Sequence, residues 1–279
     1  MELIAQPIID EYIASLQNDN ETLKKVKLVV YQIDNDGPSC SYVKSKVNMF
    51  NKVGAICTVK HFDSSISKPS DIIEEVKKDN EDSAVSGIIV QNPVPKGYEI
   101  IAQFINPYKD VDGFLKNSSH EPCTPLGVVK LLASYNIDTI NKNVVIVGRS
   151  REVGLPLANM LSSKRNNANV TLLHSKTSEA NLKMYLNNAD IVVGCCGVAD
   201  LIKTQDCKDG AVLINIGMTR IKDNSTKCGY KTHGDINIIN STDNLERFKG
   251  YTPILGSTGP MTVLALLSNT IDSYLAINN

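Results

Sequence analysis

Asn143 to Ser163 reads NVVIVGRSREVGLPLANMLSS. It is a β-branched run that stops at Gly148 and resumes after Gly154 with helical spacing. Consecutive aliphatic residues from Val144 to Val147 are what a strand covered on both faces of a parallel sheet requires. A buried strand that passes through glycine into an amphipathic helix is where doubly wound folds seat a dinucleotide pyrophosphate. The helix N-terminus there offers unpaired N–H groups and a partial positive charge. The two glycines do not follow the GxGxxG spacing, and small residues suit any strand-to-helix turn. Spacing alone therefore leaves nucleotide binding and a plain turn both open.

The next strand, NVTLLH, ends in His174-Ser175-Lys176-Thr177. An NAD-binding unit usually carries Asp or Glu at that point, accepting hydrogen bonds from a ribose hydroxyl. Here no carboxylate is present, whereas Arg149, Ser175 and Lys176 are all suited to a 2′-phosphate, with arginine best fitted for a forked contact. NADP is the expected cofactor. The competing reading gives Lys176 and Thr177 to the start of the next helix, with Thr177 or Ser178 as its cap.

Working outward, KLVVYQI (27–33), GAICTVKHF (54–62), SGIIVQ (86–91), DIVVGC (190–195) and AVLINIG (211–217) repeat the same buried-strand pattern. Segments of helical spacing separate them, which makes the chain α/β with parallel sheets. The pattern breaks between Asn92 and Gly127, where five prolines and the Asp112-Gly113 turn signal fall. Two α/β domains are expected. The first covers residues 1–119 with the C-terminal helix 259–279, and the second, a Rossmann-like doubly wound unit, covers 120–258. A chain of 279 residues is long enough for both.

The 29 basic and 30 acidic residues are nearly balanced and nowhere form a basic block, so no nucleic-acid partner is expected. The N-terminal MELIAQPIID has no long apolar run, and neither a signal peptide nor a membrane anchor is read from it. Seven cysteines, Cys228 among them, include no CxxC pair and read as reduced thiols of a cytoplasmic protein.

Tyr42 and Lys46, four residues apart in SYVKSKVNMF, share a face of any helix there. Asp36-Gly37-Pro38-Ser39 reads as a turn before that helix, with Ser39 or Ser41 as its cap. Val43, Val47 and Phe50 form the apolar stripe, and Tyr42 and Lys46 flank it. A lysine buried there loses solvation, its pKa falls, and it becomes a proton carrier near neutrality. The bland alternative is a lysine snorkelling over a core tyrosine. Gln91 ends a buried strand at the carboxyl edge, where α/β sheets put ligands. In KDVDG, Asp110 and Asp112 are left to bind a metal, cap a turn or hold the polar edge of a ring; with no His or third carboxylate nearby, no metal is expected.

The ordered blocks YVKSK, GIIVQNPVP, KDVDGF, PCTPLG, GRSREVGLP, HSKT and GSTGPMT resemble the bifunctional methylenetetrahydrofolate dehydrogenase/methenyltetrahydrofolate cyclohydrolase family over nearly the whole chain. The resemblance implies a tetrahydrofolate substrate in a cleft between the two domains, NADP along the second, and a homodimer formed through the nucleotide domain. It implies hydride transfer from 5,10-methylenetetrahydrofolate to NADP, then hydrolysis of the methenyl product to 10-formyltetrahydrofolate. Lys46 matches the family's catalytic lysine, Tyr42 the tyrosine packed on the folate ring, Gln91 the glutamine orienting the lysine, and Asp112 the carboxylate reading the pterin's amino edge. Pro260 falls in the substrate-lining turn before the last helix. Gly148, Arg149 and Ser150 match the phosphate turn, Ser175 the 2′-phosphate contact, and Met218 an aliphatic position touching the cofactor. Cys123 reads as a lining residue. Four features depart from the family pattern: VVYQIDNDGPSCS before Tyr42, the short LKNSSHE, Asn92 in place of an apolar residue after Gln91, and YTPILGSTGPMT.

Overall fold

A computed structural model describes residues 1–16, 20–34, 37–226, 229–238 and 244–278. Helices α1 (Gln6–Leu16) and α2 (Asn20–Leu23) precede strand β1 (Lys27–Ile33), helix α3 (Gly37–Lys52), strand β2 (Ile56–Phe62), helix α4 (Pro69–Glu81) and strand β3 (Gly87–Val90). Helix α5 (Cys123–Ser134) leads to β4 (Asn143–Val147), α6 (Gly154–Ser162), β5 (Asn169–Leu173), α7 (Glu179–Leu186), β6 (Ile191–Gly194) and β7 (Val212–Asn215). Strands β8 (Met218–Lys222), β9 (Tyr230–Gly234) and β10 (Gly250–Tyr251) and helix α8 (Thr258–Asn278) complete the chain.

Two compact units result, one of Ile9–Cys123 with Val263–Asn279, the other of Met1–Ile8 with Thr124–Thr262. The first eight residues thus join the second unit rather than the first, where residues 1–119 were expected to lie together. The physical reason is backbone pairing: Leu3 N–H donates to Tyr251 O, Tyr251 N–H donates to Met1 O, and Ala5 N–H donates to Gly256 O.

In the first unit the sheet order is β2-β1-β3, all parallel. Strand β1 is buried from Leu28 to Ile33, as a central parallel strand must be. One face carries Val29, Tyr31, Ile33, Ile88 and Val90 against Ile72 and Val76 of α4. Each such side chain, fully buried, contributes about 1.5–3 kcal/mol. Tyr31 donates from its hydroxyl to Asp79, and Lys60 pairs with the same carboxylate at 2.8 Å, so the polar atoms under α4 are satisfied.

In the second unit five parallel strands run β10-β7-β6-β4-β5. Starting at β4 the chain winds first outward to β5 and then back to β6 on the other side, the double winding expected. The aliphatic runs became strands because each loses water on both faces: β4, β6 and β7 are buried from Val144, Ile191 and Val212 to their ends. The antiparallel hairpin β8–β9 was not foreseen. Its strands MTRIK and YKTHG are short and half polar, with no continuous apolar run to mark them.

Two expectations about helix ends are corrected. Helix α3 begins at Gly37, so Ser41 lies inside it and is no cap; Asp36 and the side chain of Ser39 lie outside what is described. Helix α8 begins at Thr258, which puts Pro260 within its first turn rather than in a turn before it. Proline is tolerated there because a first-turn N–H has no helical partner.

Candidate active site

In the first unit, side chains converge at the carboxyl end of β1 and β3, the point where the strand order reverses. Helix α3 follows β1, and its buried stripe is Val43, Lys46, Met49 and Phe50, with Val47 half-buried beside it. Lys46 therefore lies within the stripe rather than beside it, 8% exposed, while Tyr42, one turn earlier, is 42% exposed. The snorkelling alternative does not hold, since the ammonium end is anchored inward. Lys46 Nζ donates to Gln91 Oε1 at 2.7 Å.

Gln91 holds that position through three bonds. Its backbone N–H donates to Tyr31 O at 2.8 Å, continuing the sheet past β3. Its side-chain Nε2 donates to Asn92 O at 2.7 Å, which turns Oε1 toward Lys46. Because an amide oxygen only accepts, one N–H of Lys46 is committed to it and the rest of Nζ is left for other partners.

Asp112 lies in the loop after Asp110. The neighbouring Asp110 is buried and spends its carboxylate on Leu115 N–H, while its carbonyl accepts from Ser118, so of the three readings left open for it the turn is the one observed. Gly113 has φ +75°, and a Cβ there would run into the backbone of Glu121 and Pro122. The loop consequently folds tightly with Cys123, whose Sγ donates to Val111 O at 3.1 Å and is fully buried. Asn269 of α8 donates to the carbonyls of both Val111 and Glu121, gripping the loop on either side of Asp112. No motif in the sequence marked Asn269, because an asparagine in a helix announces nothing until its partner is known.

Electrostatics tie these residues together. Burial raises the carboxyl of Asp112 above the ordinary carboxylate range, with Lys46 opposing and Asp110 adding. Burial likewise raises the Cys123 thiol far above its ordinary value and that of Cys57 to about 11, again against the pull of Lys46. Neither thiol is a ready nucleophile, and Cys123 packs inside the loop.

The sign of the Asp112 shift has a consequence for stability. A carboxyl whose folded pKa lies above its unfolded value contributes stability fully below the unfolded value and loses it as pH rises through the folded one. Asp112→Asn is therefore expected to raise the unfolding midpoint of the ligand-free protein by a few degrees near pH ~8, with the gain fading toward pH ~4. Calorimetry across that range checks it; a variant no more stable than wild type at the alkaline end contradicts it.

The second unit carries a cavity of about 510 Å³ at the carboxyl ends of β4, β5 and β6. This is the switch point of the doubly wound sheet, where such folds bind nucleotides. Gly148 has φ +128° and no room for a side chain against Cys195. Gly154 opens α6 with its Cα against the carbonyl of Gly148, so the two glycines with odd spacing meet face to face. Close approach of helix to strand, rather than fingerprint spacing, explains why both are glycine. Ser150 accepts from Val153 N–H at 3.1 Å and folds the turn between them.

Gly148, Arg149, Ser150 and Ser175 all line the cavity, with His174 and Thr177. Among the described residues the lining contains no carboxylate. Lys176 is exposed outside it, Thr177 accepts from His174 N–H, and Ser178 is the cap of α7, accepting from Asn181 N–H. Met218 opens β8 opposite Gly234 and is not among the lining residues. The sequence reading missed Cys195, Cys196, Val198 and Leu201, which supply the far wall; the signal available was the end of the DIVVGC strand on the other side of the switch point. None of the described cysteines Cys40, Cys57, Cys123, Cys195, Cys196 and Cys207 is in a disulfide, and Cys228 lies outside the described residues. Among the described residues no three His, Cys, Asp or Glu side chains gather as for a metal, and no helix is long and apolar enough to cross a membrane.

Residues 2–112 match the catalytic domain of tetrahydrofolate dehydrogenase/cyclohydrolase, and residues 122–277 match its NAD(P)-binding domain. The chain belongs to this family. The Bifunctional protein FolD of Staphylococcus saprophyticus is 39% identical, with 96% of this chain and 95% of that one covered. The bifunctional FolD of Campylobacter jejuni has the same fold at a TM-score of 0.87, 31% identity and 99% coverage of both chains. A Trypanosoma brucei N5,N10-methylenetetrahydrofolate dehydrogenase-cyclohydrolase, solved with NADP cofactor and inhibitor, aligns at a TM-score of 0.89 and 26% identity over 99% and 97% of the chains. The chain is thus a bifunctional dehydrogenase/cyclohydrolase, and both stretches on which its chemistry was read fall inside the matched domains.

Proposed function

We propose that this enzyme oxidises 5,10-methylenetetrahydrofolate to 5,10-methenyltetrahydrofolate with NADP and then hydrolyses that product to 10-formyltetrahydrofolate, with Lys46 carrying the proton of the second step. The observation that supports it best is the 2.7 Å bond from Lys46 Nζ to Gln91 Oε1 at the carboxyl end of β3. The methenyl substrate is a cation and already a good electrophile, so the protein has to supply position and a proton acceptor for the attacking water. Lys46 then takes a proton from water while Gln91 keeps it aimed.

Tyr42, largely exposed on α3, offers its ring as the platform for the folate, and Asp112, its carboxyl raised by burial, meets the pterin's amino edge. NADP, when bound, supplies the hydride acceptor. Gly148, Arg149 and Ser150 hold its phosphates at the N-terminus of α6, Arg149 and Ser175 take the 2′-phosphate, and Met218 makes an apolar contact with it. The absence of a carboxylate among the cavity's described lining residues favours NADP over NAD. The enzyme acts in the cytoplasm as a homodimer joined through the nucleotide domain, without nucleic-acid or membrane partners, within one-carbon metabolism and purine synthesis.

Nucleotide reduction followed by absorbance with 5,10-methylenetetrahydrofolate, run in parallel with NADP and NAD, tests the reading. Faster reduction of NADP is expected. Faster reduction of NAD overturns the cofactor assignment, and no reduction of either overturns the dehydrogenase.

A further inference from the structure

Asp235 follows β9 and is wholly buried. Its carboxylate faces no lysine, arginine or histidine within ion-pair distance among the described residues. Instead it accepts from three successive backbone amides: Cys196 at 2.5 Å and Gly197 at 3.2 Å on Oδ2, and Val198 at 2.8 Å on Oδ1. Such charge-assisted bonds to backbone N–H groups are about twice as strong as neutral ones.

The surrounding chain is cut to fit this carboxylate. A Cβ on Gly217 would strike its oxygens, and one on Gly194 would strike its Cβ. Its own backbone is fixed as well, with Asp235 N–H donating to Gly217 O at 3.3 Å and Asp235 O accepting from Ile202 N–H at 2.9 Å. The segment it grips, Cys196 to Val198, follows β6, and its Cys196 and Val198 line the nucleotide cavity together with Arg149 and Ser175. Gly197, between the lining residues Cys196 and Val198, has φ +68°, so the loop bends in the left-handed region and needs an outside anchor to hold one shape. The Asp235 charge is also felt by the wall thiols, adding to the burial that pushes Cys195 to about 12 and Cys196 to about 11.

We infer that Asp235 is a positioning residue for the cofactor: it shapes the Cys196–Val198 wall of the nucleotide cavity without touching the nucleotide itself. The inference rests on the NADP reading above. An asparagine of the same shape keeps one acceptor but turns an N–H donor toward backbone donors, which leaves at least one amide without a partner. The wall then loses its fixed conformation while the sheet behind it keeps its apolar packing.

The test is Asp235→Asn in the full chain, with a second variant, Gly197→Ala, that strains the same wall without entering the buried site; nothing lies within 4 Å of a Cβ there. NADP binding to the ligand-free protein is measured by calorimetric titration, alongside KM and kcat for reduction and the rate of methenyltetrahydrofolate hydrolysis. The expected result is NADP binding weakened about tenfold in both variants, as for loss of a charged acceptor. KM for NADP rises with little change in kcat, and hydrolysis stays near the wild-type rate. NADP affinity equal to wild type in both variants overturns the inference, as does a parallel loss of hydrolysis and binding, which marks Asp235 as a general structural residue. A wild-type protein that binds no NADP defeats the underlying cofactor reading instead, so the two failures are told apart.

Discussion

Lys46→Met is expected to slow hydrolysis of methenyltetrahydrofolate by roughly 10²–10⁴-fold, the span that a positioned proton carrier contributes. Methionine keeps the length and flexibility of the lysine stem, so the buried stripe of Val43, Met49 and Phe50 keeps its neighbour. What disappears is the nitrogen. Gln91 Oε1 loses the donor it now has at 2.7 Å, which costs about 1–3 kcal/mol for a buried acceptor, offset by removal of a cation from a buried place. Folding is therefore expected to survive while proton transfer does not. The decay of the methenyl chromophore gives the rate, and calorimetric titration with NADP provides the control, because the nucleotide cavity belongs to the other compact unit. A wild-type rate in the variant removes Lys46 from the chemistry.

Gly154→Ala is expected to weaken NADP binding on the order of 10²-fold, the penalty for misplacing a binding group by about 1 Å. The argument is steric. A single methyl at this position falls on the carbonyl of Gly148 and close to Arg149 Cα, which are backbone atoms that cannot swing aside. Helix α6 must therefore retreat from the turn that ends β4, and with it go the amides of its first turn and the arrangement of Arg149 and Ser150 around the cavity. In an exposed helix position Gly→Ala would stabilise by about 1 kcal/mol; here the direction is reversed, since alanine is the better helix former and still the worse residue. Titration of the variant with NADP measures the loss, and hydrolysis of methenyltetrahydrofolate, carried by residues of the first unit, is expected to continue. Undiminished NADP affinity would show that the close glycine contact is incidental.

Much of this was legible in the chain because burial on both faces leaves a pattern that needs no partner to be seen. KLVVYQI, NVVIVG and DIVVGC are strands wherever they are placed, and strands alternating with helical spacing admit few arrangements other than parallel sheets. The missing carboxylate after β5 was equally visible, since it depends on residue type at one position. Hairpin β8–β9 was not visible, because its stability comes from pairing between two half-polar strands rather than from either alone. The cap misread at Ser41 and the turn misread at Pro260 show the same limit, as helix ends are set by which backbone groups find partners.

By itself, then, the sequence determined the fold class, two α/β units with the second doubly wound, the family and the residue types available for chemistry, all of which follow from local hydrophobic pattern and from motifs in order. The tertiary structure decided the rest: that Lys46 faces inward while Tyr42, one turn away, faces out; that Gln91 turns its oxygen to that lysine; that Gly148 and Gly154 touch; and that Asp235, far along the chain, anchors the wall that holds Cys196 and Val198. Each depends on a contact between residues distant in sequence, and helical or strand period states which face a side chain occupies but not what stands across from it.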